Sequence, residues 1–316
     1  MLTGATGFIG AAVLGELGRR GDVSVRAVGR RAPGTGAGGA TEWVPADLAR
    51  PGSLAGTCEG ADVLLHLAGV VSPDEALCET VNVRGTAALM AEAVRAGTGR
   101  VVHLSTAAVY GPGPHRGAAV GELVPAPVSA TSRTRLAGEA HALAAGATVL
   151  RPGLVMGTGD RWVVPALAEL VDRVPARWDG GRGLLSAVDV TDLARLVAAL
   201  AVLPSLPGNG GATGRVFHAG HPSPVRTGEV LAELAELGVL PSVDTDLAWD
   251  ECVSLLRATP GTVSERQFSL LARDHWYRSD EVWRVAHCPP GPGPVARLAS
   301  AAPWYRGALG RPGPLR

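Results

Sequence analysis

Thr3-Gly4-Ala5-Thr6-Gly7-Phe8-Ile9-Gly10 carries glycines at Gly4, Gly7 and Gly10 and runs straight into an apolar helical stretch, Phe8 to Arg20. The spacing has a mechanical reading. Gly4 permits a tight turn, Gly7 lets backbone N–H groups approach a pyrophosphate, and Gly10 lets the helix lie close to a sheet. Thr6, Phe8 and Ile9 share the same loop, and the helix behind them points its positive end at the phosphates. Glycine is common here, 43 of 316 residues, so the spacing alone is weak. Order makes it informative: the loop is followed by a helix and then by a β-rich run.

Outward from the loop, short β-rich runs alternate with helical patterns. Val23 to Val28, Val63 to Leu67, Val101 to Leu104 and Thr148 to Leu150 read as buried parallel strands. Glu75 to Ala96 and Ser132 to Leu143 are amphipathic stretches between them. This alternation predicts an α/β fold, a Rossmann-type doubly wound parallel sheet. Only Met1, Leu2 and Thr3 precede the glycine loop, so the first strand is either clipped or continues upstream of Met1.

After Arg151-Pro152 the alternation decays. Asp179 to Asp192 reads as a loop, a strand and a helix start; a strand follows at Arg215 to His218 and a helix at Thr227 to Leu237. From about Leu247 the tail is richer in proline and tryptophan, with Trp249, Trp276, Trp283 and Trp304. We expect residues 1–155 and 183–222 to form the nucleotide-binding core, and residues 156–182 and 223–316 a smaller C-terminal substrate-binding lobe. Its tryptophans either line an apolar cleft or form the lobe's core.

Composition narrows the function classes. The chain is 46% hydrophobic and 18% charged, which suits a globular protein able to bury a full core. Its formal net charge is zero, so nothing draws it electrostatically to nucleic acid or an acidic membrane. Cys58, Cys78, Cys252 and Cys288 are scattered, with no CxxC pair, so neither a metal site nor a disulfide framework is expected. Reduced thiols, no basic leader before the glycine loop and no long apolar run predict a cytoplasmic protein. All the basic residues are arginine; lysine is absent.

At the end of the second strand stands Gly29-Arg30-Arg31, where an NAD-binding protein usually presents a carboxylate to the ribose 2′-hydroxyl. A carboxylate would repel a 2′-phosphate, whereas two guanidinium groups bind one bidentately. The cofactor expected is therefore NADP(H). Asp47 and Leu48, after the third strand, are placed to meet adenine. Leu67-Ala68-Gly69 ends the fourth strand with residues small enough to let a cofactor cross the sheet edge.

These motifs, with Asn82 in Val-Asn-Val-Arg-Gly-Thr, Ser105-Thr106-Ala107-Ala108-Val109-Tyr110-Gly111, Leu150-Arg151-Pro152 and Val188-Asp189-Val190-Thr191-Asp192, resemble the extended short-chain dehydrogenases/reductases along most of the chain. The family includes sugar-nucleotide epimerases and dihydroflavonol reductases. The resemblance implies cofactor contacts at Asn82 and Pro152. It also implies that Thr106, with Ser105 beside it, offers a hydroxyl to the substrate oxygen.

The resemblance fails at one place. The family's Pro-x-Ser-x-Tyr-x-x-x-Lys appears here as Pro127-Val128-Ser129-Ala130-Thr131-Ser132-Arg133-Thr134-Arg135. Thr131 stands in the tyrosine's place and Arg135 in the lysine's. None of the three tyrosines, Tyr110, Tyr277 and Tyr305, is followed four residues later by a base. A lysine cation normally lowers the tyrosine's pKa so that the phenol can give a proton near neutrality. A threonine hydroxyl is far too weak an acid, and arginine holds its proton at a pKa above about 12. Arginine still supplies charge and can bind ribose hydroxyls.

The first functional reading is an NADPH-dependent ketoreductase similar to those that tailor aromatic polyketides of the angucyclinone type. Its small-molecule ketone would be held by Thr106, and the proton would come from a substrate hydroxyl or water. His66 and His103 sit within predicted strands, where packing is the expected role. His115, in a predicted loop after Tyr110-Gly111, is the one histidine placed to donate a proton instead. The second reading is a non-catalytic NADP(H)-binding sensor or scaffold. Epimerase chemistry is disfavoured, because it needs the missing tyrosinate. The sequence leaves the oligomeric state open.

Overall fold

A computed structural model describes residues 1–32, 42–204 and 214–310. Seven strands form one sheet: β1 (Leu2–Thr3), β2 (Arg26–Gly29), β3 (Glu42–Pro45), β4 (Val63–His66), β5 (Arg100–Leu104), β6 (Thr148–Arg151) and β7 (Arg215–His218). All pair in parallel, in the order β7-β6-β5-β4-β1-β2-β3. The order reverses beside β1, and such a switch point opens a crevice at the carboxyl ends of the strands. This is the doubly wound sheet the sequence predicts.

The central strands are apolar runs because both their faces are covered. Val102 and Leu104 turn to one side, where Val13, Leu14 and Leu17 of the helix Phe8–Gly18 pack with Leu193, Leu196 and Val197 of the helix Val190–Val202. Val101 and Val149 turn to the other side, toward Leu89, Met90 and Ala142. A further core gathers Trp178, Phe268, Leu298 and Tyr305. Val282, Trp283 and Val285, late in the chain, pack into the core beside the phosphate-loop helix instead.

Some boundaries move. The second strand begins at Arg26 rather than Val23. The stretch predicted as one helix from Glu75 is continuous but changes pitch: Glu75–Cys78 and Thr86–Arg95 are α-helical, while Glu79–Gly85 between them is π-helical. Gly85 there lies against Leu48, and a Cβ would stand 2.7 Å from the Leu48 carbonyl oxygen. His115 is not in a loop. It opens a strand, His115–Ala118, that pairs with His275–Tyr277.

Candidate active site

One large cleft, of about 1340 Å³, runs along the carboxyl ends of β1, β2 and β4. At one end the glycine loop makes its floor. Gly4 has a φ of +80°, and a Cβ there would stand 2.7 Å from the Ala68 nitrogen. A Cβ on Gly10 would collide with the Gly4 carbonyl oxygen. The turn is closed by the Gly7 N–H donating to Gly4 O at 2.9 Å. The helix Phe8–Gly18 begins without a side-chain cap and without an acidic residue in its first turn. Its first N–H groups, with no acceptor inside the helix, are left for an anion. Thr6, Phe8 and Ile9 line the cleft with the three glycines.

Arg30 and Arg31 line the same end, both exposed, and neither has a hydrogen-bond or ion-pair partner among the described residues. Asp47 and Leu48 line it too; the Asp47 carboxylate accepts from Ala49 N at 3.0 Å. Leu67, Ala68 and Gly69 carry the cleft toward its other end.

The other end is built by the turn after β5 and the helix Ala130–Ala144, whose capping box is formed by Ser129 and Ser132. Thr106 is partly exposed to the cleft. Its Oγ1 accepts from Ala108 N at 3.1 Å, and no described residue accepts its own proton. It can therefore donate to a ligand oxygen. Ser105 does not share that role. It is buried off the cleft, and its Oγ donates to Glu139 Oε1. Neighbouring residues on extended backbone point to opposite sides, so only one of the pair can face the ligand.

Thr131 lines the cleft but acts as a tie. Its Oγ1 accepts from Ser72 N at 3.2 Å and donates to Ser72 O at 3.3 Å, so it pins the loop after Gly69. Arg135 lies one turn further along. Its Nη2 donates to Leu104 O, and to Ser105 O at 3.4 Å. Its Nη1 rests on Gly69, where any Cβ would collide with it. Burial pulls its pKa down to about 10, with Glu139 acting the other way, so it stays charged near neutrality.

Two residues expected at the cofactor hold backbone behind the cleft wall. Asn82 is buried off the cleft; its amide holds Val70 by N–H at 2.8 Å and by C=O at 3.0 Å. Pro152 also lies off the cleft, and its carbonyl accepts from Ala107 N at 2.8 Å.

The sequence reading missed the polar network behind Ser105. Glu139 accepts from Arg151 Nε at 3.0 Å and from Arg151 Nη2. Arg151 Nη1 donates to the Tyr110 hydroxyl at 2.8 Å, which bonds His218 Nε2 at 2.7 Å. No local spacing announces it, since the partners of Glu139, Ser105 and Arg151, lie on other elements.

His66 and His103 are core residues, with ring centroids 4.9 Å apart. His66 bonds Thr3 Oγ1 at 2.8 Å and Thr86 Oγ1 at 3.0 Å, and burial pushes its pKa down to about 3. Neither ring nitrogen of His103 has a hydrogen bond of good geometry among the described residues, the His66 backbone lies near, and burial also lowers its pKa. His115 packs against Tyr110, Tyr277 and His275, away from the cleft, so the structure removes it as proton donor. The tail tryptophans are likewise off the cleft: Trp249 packs on Phe268, Trp276 covers Gly117, Trp283 donates to Gly220 O, and Trp304 meets Tyr305. Trp43 and Trp162 line it instead, the latter 65% exposed. Arg266 and Gln267 complete that rim.

The family model of the NAD dependent epimerase/dehydratase family matches residues 1–212. Among curated proteins, a 4-hydroxy-2-methyl-3-oxo-4-farnesyl-3,4-dihydroquinoline-1-oxide ketoreductase of Stigmatella aurantiaca is 31% identical over 213 residues, covering 61% of each chain. Sterol demethylase protein B of Methylococcus capsulatus is 41% identical over 119 residues, 36% of each chain. The chain spans between about a third and three fifths of the length of these curated relatives. Among solved structures, MoeE5 in complex with UDP-glucose and NAD is 25% identical, with a TM-score of 0.70 over 98% of both chains. A short-chain dehydrogenase/reductase superfamily protein from Agrobacterium tumefaciens with bound NAD is 22% identical, with a TM-score of 0.72 over 98% of this chain and 97% of that one, a likeness of fold.

Proposed function

The chain belongs to the NAD dependent epimerase/dehydratase family, and from that premise we propose that it is an NADPH-dependent ketoreductase acting on an aromatic polyketide ketone of the angucyclinone type. One observation carries the reading. The reaction end of the cleft offers a hydrogen-bond donor, Thr106, and a fixed cation, Arg135, but, among the described residues, no tyrosine, histidine or lysine to give a proton near neutrality. Such a site can place a carbonyl and stabilise charge on its oxygen; the proton has to come from the substrate's own hydroxyl or from water. The Stigmatella relative, named a ketoreductase, supports the reaction class.

The cofactor fits the residues present. The cradle at Gly4 and Gly10 is one that a Cβ would fill, and the uncapped helix start suits a pyrophosphate. Asp47 and Leu48 would meet adenine, Arg135 the ribose hydroxyls, and Arg30 with Arg31 a 2′-phosphate, which favours NADP over NAD. The bound dihydronicotinamide supplies the hydride. Thr106 orients the ketone oxygen by donating to it.

The competing reading, a non-catalytic NADP(H)-binding sensor or scaffold, draws on Thr131 being tied to Ser72. One experiment separates them: NADPH consumption with an aryl ketone bearing a free neighbouring hydroxyl, against the same ketone O-methylated. The free ketone is expected to react about 10²–10⁴-fold faster, the usual contribution of a positioned acid. Equal rates would reject substrate assistance. No turnover with either, in a protein that binds NADPH, would favour the sensor.

A further inference from the structure

Ten large apolar side chains are exposed among the described residues, and four of them, Trp43, Val71, Leu77 and Trp162, line the large cleft. Trp43 lies on β3, at the end where Arg30 and Arg31 stand. Val71 is in the loop that Thr131 pins, Leu77 in the helix Glu75–Cys78, and Trp162 just ahead of the helix Val163–Arg173. Apolar residues scattered singly over a surface mean little, but apolar surface gathered on a cleft marks where a ligand lies.

Trp162 combines a fixed backbone with an uncovered ring. The fully buried Asp160 carboxylate accepts from Trp162 N at 2.7 Å, Val163 N at 2.9 Å and Val164 N at 3.0 Å. The Tyr305 hydroxyl donates to Asp160 at 3.1 Å and accepts from Gly157 N at 2.8 Å. Gly159 lies on the Phe8 ring, where a Cβ would stand 3.0 Å from Phe8 Cδ2. The short loop 157–162 is thus anchored to Tyr305 on one side and to the glycine-loop helix on the other. The indole shares none of this. It is 65% exposed, and it makes no hydrogen bond and no ring contact among the described residues. A large flat apolar ring left in water contributes nothing to the fold. Because its backbone is already fixed, it loses little freedom when another flat surface covers it.

Resting on the ketoreductase reading, we propose that Trp162 is a specificity-determining residue of this site: its indole stacks on the flat ring system of the ketone while Thr106 holds the carbonyl oxygen, and Val71 and Leu77 meet the ketone's apolar edge. The ketones selected are those joined to a planar fused aromatic system. A saturated ketone of the same size offers the apolar area but no π face, and stacked rings attract beyond the area they bury. The indole grips substrate and transition state alike, so it sets KM rather than kcat.

The test compares 2-acetonaphthone with 2-acetyldecalin, its saturated counterpart. Each is titrated calorimetrically into the NADP+ complex, which has no hydride to give, of the unmodified protein and of the Trp162→Leu and Trp162→Phe variants. Leucine keeps apolar area without a ring, and phenylalanine keeps a ring. The preference for the aromatic ketone is expected to shrink about two- to tenfold in Trp162→Leu and to survive largely intact in Trp162→Phe. With NADPH, the KM for 2-acetonaphthone should rise in Trp162→Leu while kcat stays nearly unchanged. An unaltered preference in Trp162→Leu would overturn the role of Trp162 and leave the ketoreductase reading standing. So would a loss of NADP+ affinity in that variant, which would place the indole on the cofactor. Failure of both ketones to bind the unmodified NADP+ complex would overturn both.

Discussion

At the glycine-loop end of the cleft, backbone does the binding. Gly4 and Gly10 are fixed by what a Cβ would strike, and the helix start presents N–H groups rather than side chains. At the reaction end, side chains do it, and two of them, Thr131 and Arg135, depart from the family pattern while their backbone frame is kept. The difference teaches where each end tolerates change. A backbone site is lost by adding one atom. A side-chain site can exchange its acid for a threonine and still hold its shape, because Thr131 has taken over the loop at Ser72.

The largest effect should therefore come from the smallest substitution. Gly10→Ala pushes a Cβ onto the Gly4 carbonyl oxygen, so the loop must move from the phosphates. Losing two charge-assisted hydrogen bonds at about 1.5–3 kcal/mol each weakens NADPH binding on the order of 10²–10⁴-fold. Titration of NADPH against a variant of unchanged circular dichroism reads this out. Binding at the unmodified affinity would mean that the loop does not hold the pyrophosphate.

At the reaction end, Thr106→Ala should lower turnover by about 10²–10³-fold, the cost of one donor to a developing oxyanion. Thr131→Ala should lower it much less, and should act by loosening the Ser72 loop, seen as a raised KM. If Thr131→Ala proves the more damaging to kcat, the roles of the two threonines are reversed and a water held at Thr131 becomes the proton donor.

That division also explains how much was readable in advance. The sheet, its central strands and the glycine loop follow from local pattern: continuous apolar runs and glycine spacing are properties of neighbours in the chain. Motif order placed Thr106 and Arg135 at the cleft, and both line it. Ser105, Asn82 and Pro152 were assigned to the ligand, yet their partners, Glu139, Val70 and Ala107, belong to other elements. His115 was read as loop because its strand partner, His275, lies 160 residues away. Trp162 and Arg266 reach the rim through packing that no local period encodes. What stayed hidden is what depends on contacts distant in sequence.

A smaller effect belongs to the glycine-loop end, at the mouth of the cleft. Arg30 and Arg31 are exposed, so part of their attraction is screened by solvent and salt. Replacing both by alanine is expected to weaken NADPH about tenfold to a hundredfold, from charge-assisted bonds of about 1.5–3 kcal/mol, while leaving NADH nearly unchanged. Equal affinity of the unmodified protein for the two cofactors would remove the NADP assignment and leave the loop's role intact.

The smallest expected effect concerns pH and lies beneath the reaction end. His66 and His218 are held neutral by burial, with pKa values pushed down to about 3 and about 4, and burial lowers His103 in the same direction. In the unfolded chain each titrates near 6.5. Between these values the unfolded state binds protons that the folded state refuses, so stability is complete above about pH 6.5 and falls as the pH drops toward 4. His103 offers the sharpest single test, since neither of its ring nitrogens has a hydrogen bond of good geometry among the described residues. A buried polar group left unpaired costs about 1–3 kcal/mol, and an apolar side chain of similar size carries no such cost. His103→Leu should therefore raise the melting temperature slightly at pH 7 and flatten its decline between pH 6.5 and 4. His103 does not line the cleft, so NADPH affinity at pH 7 should be unchanged in the same variant. A His103→Leu protein that melts lower at pH 7, or declines with acid as steeply as the unmodified chain, would show that this histidine is paired and that the acid sensitivity arises elsewhere.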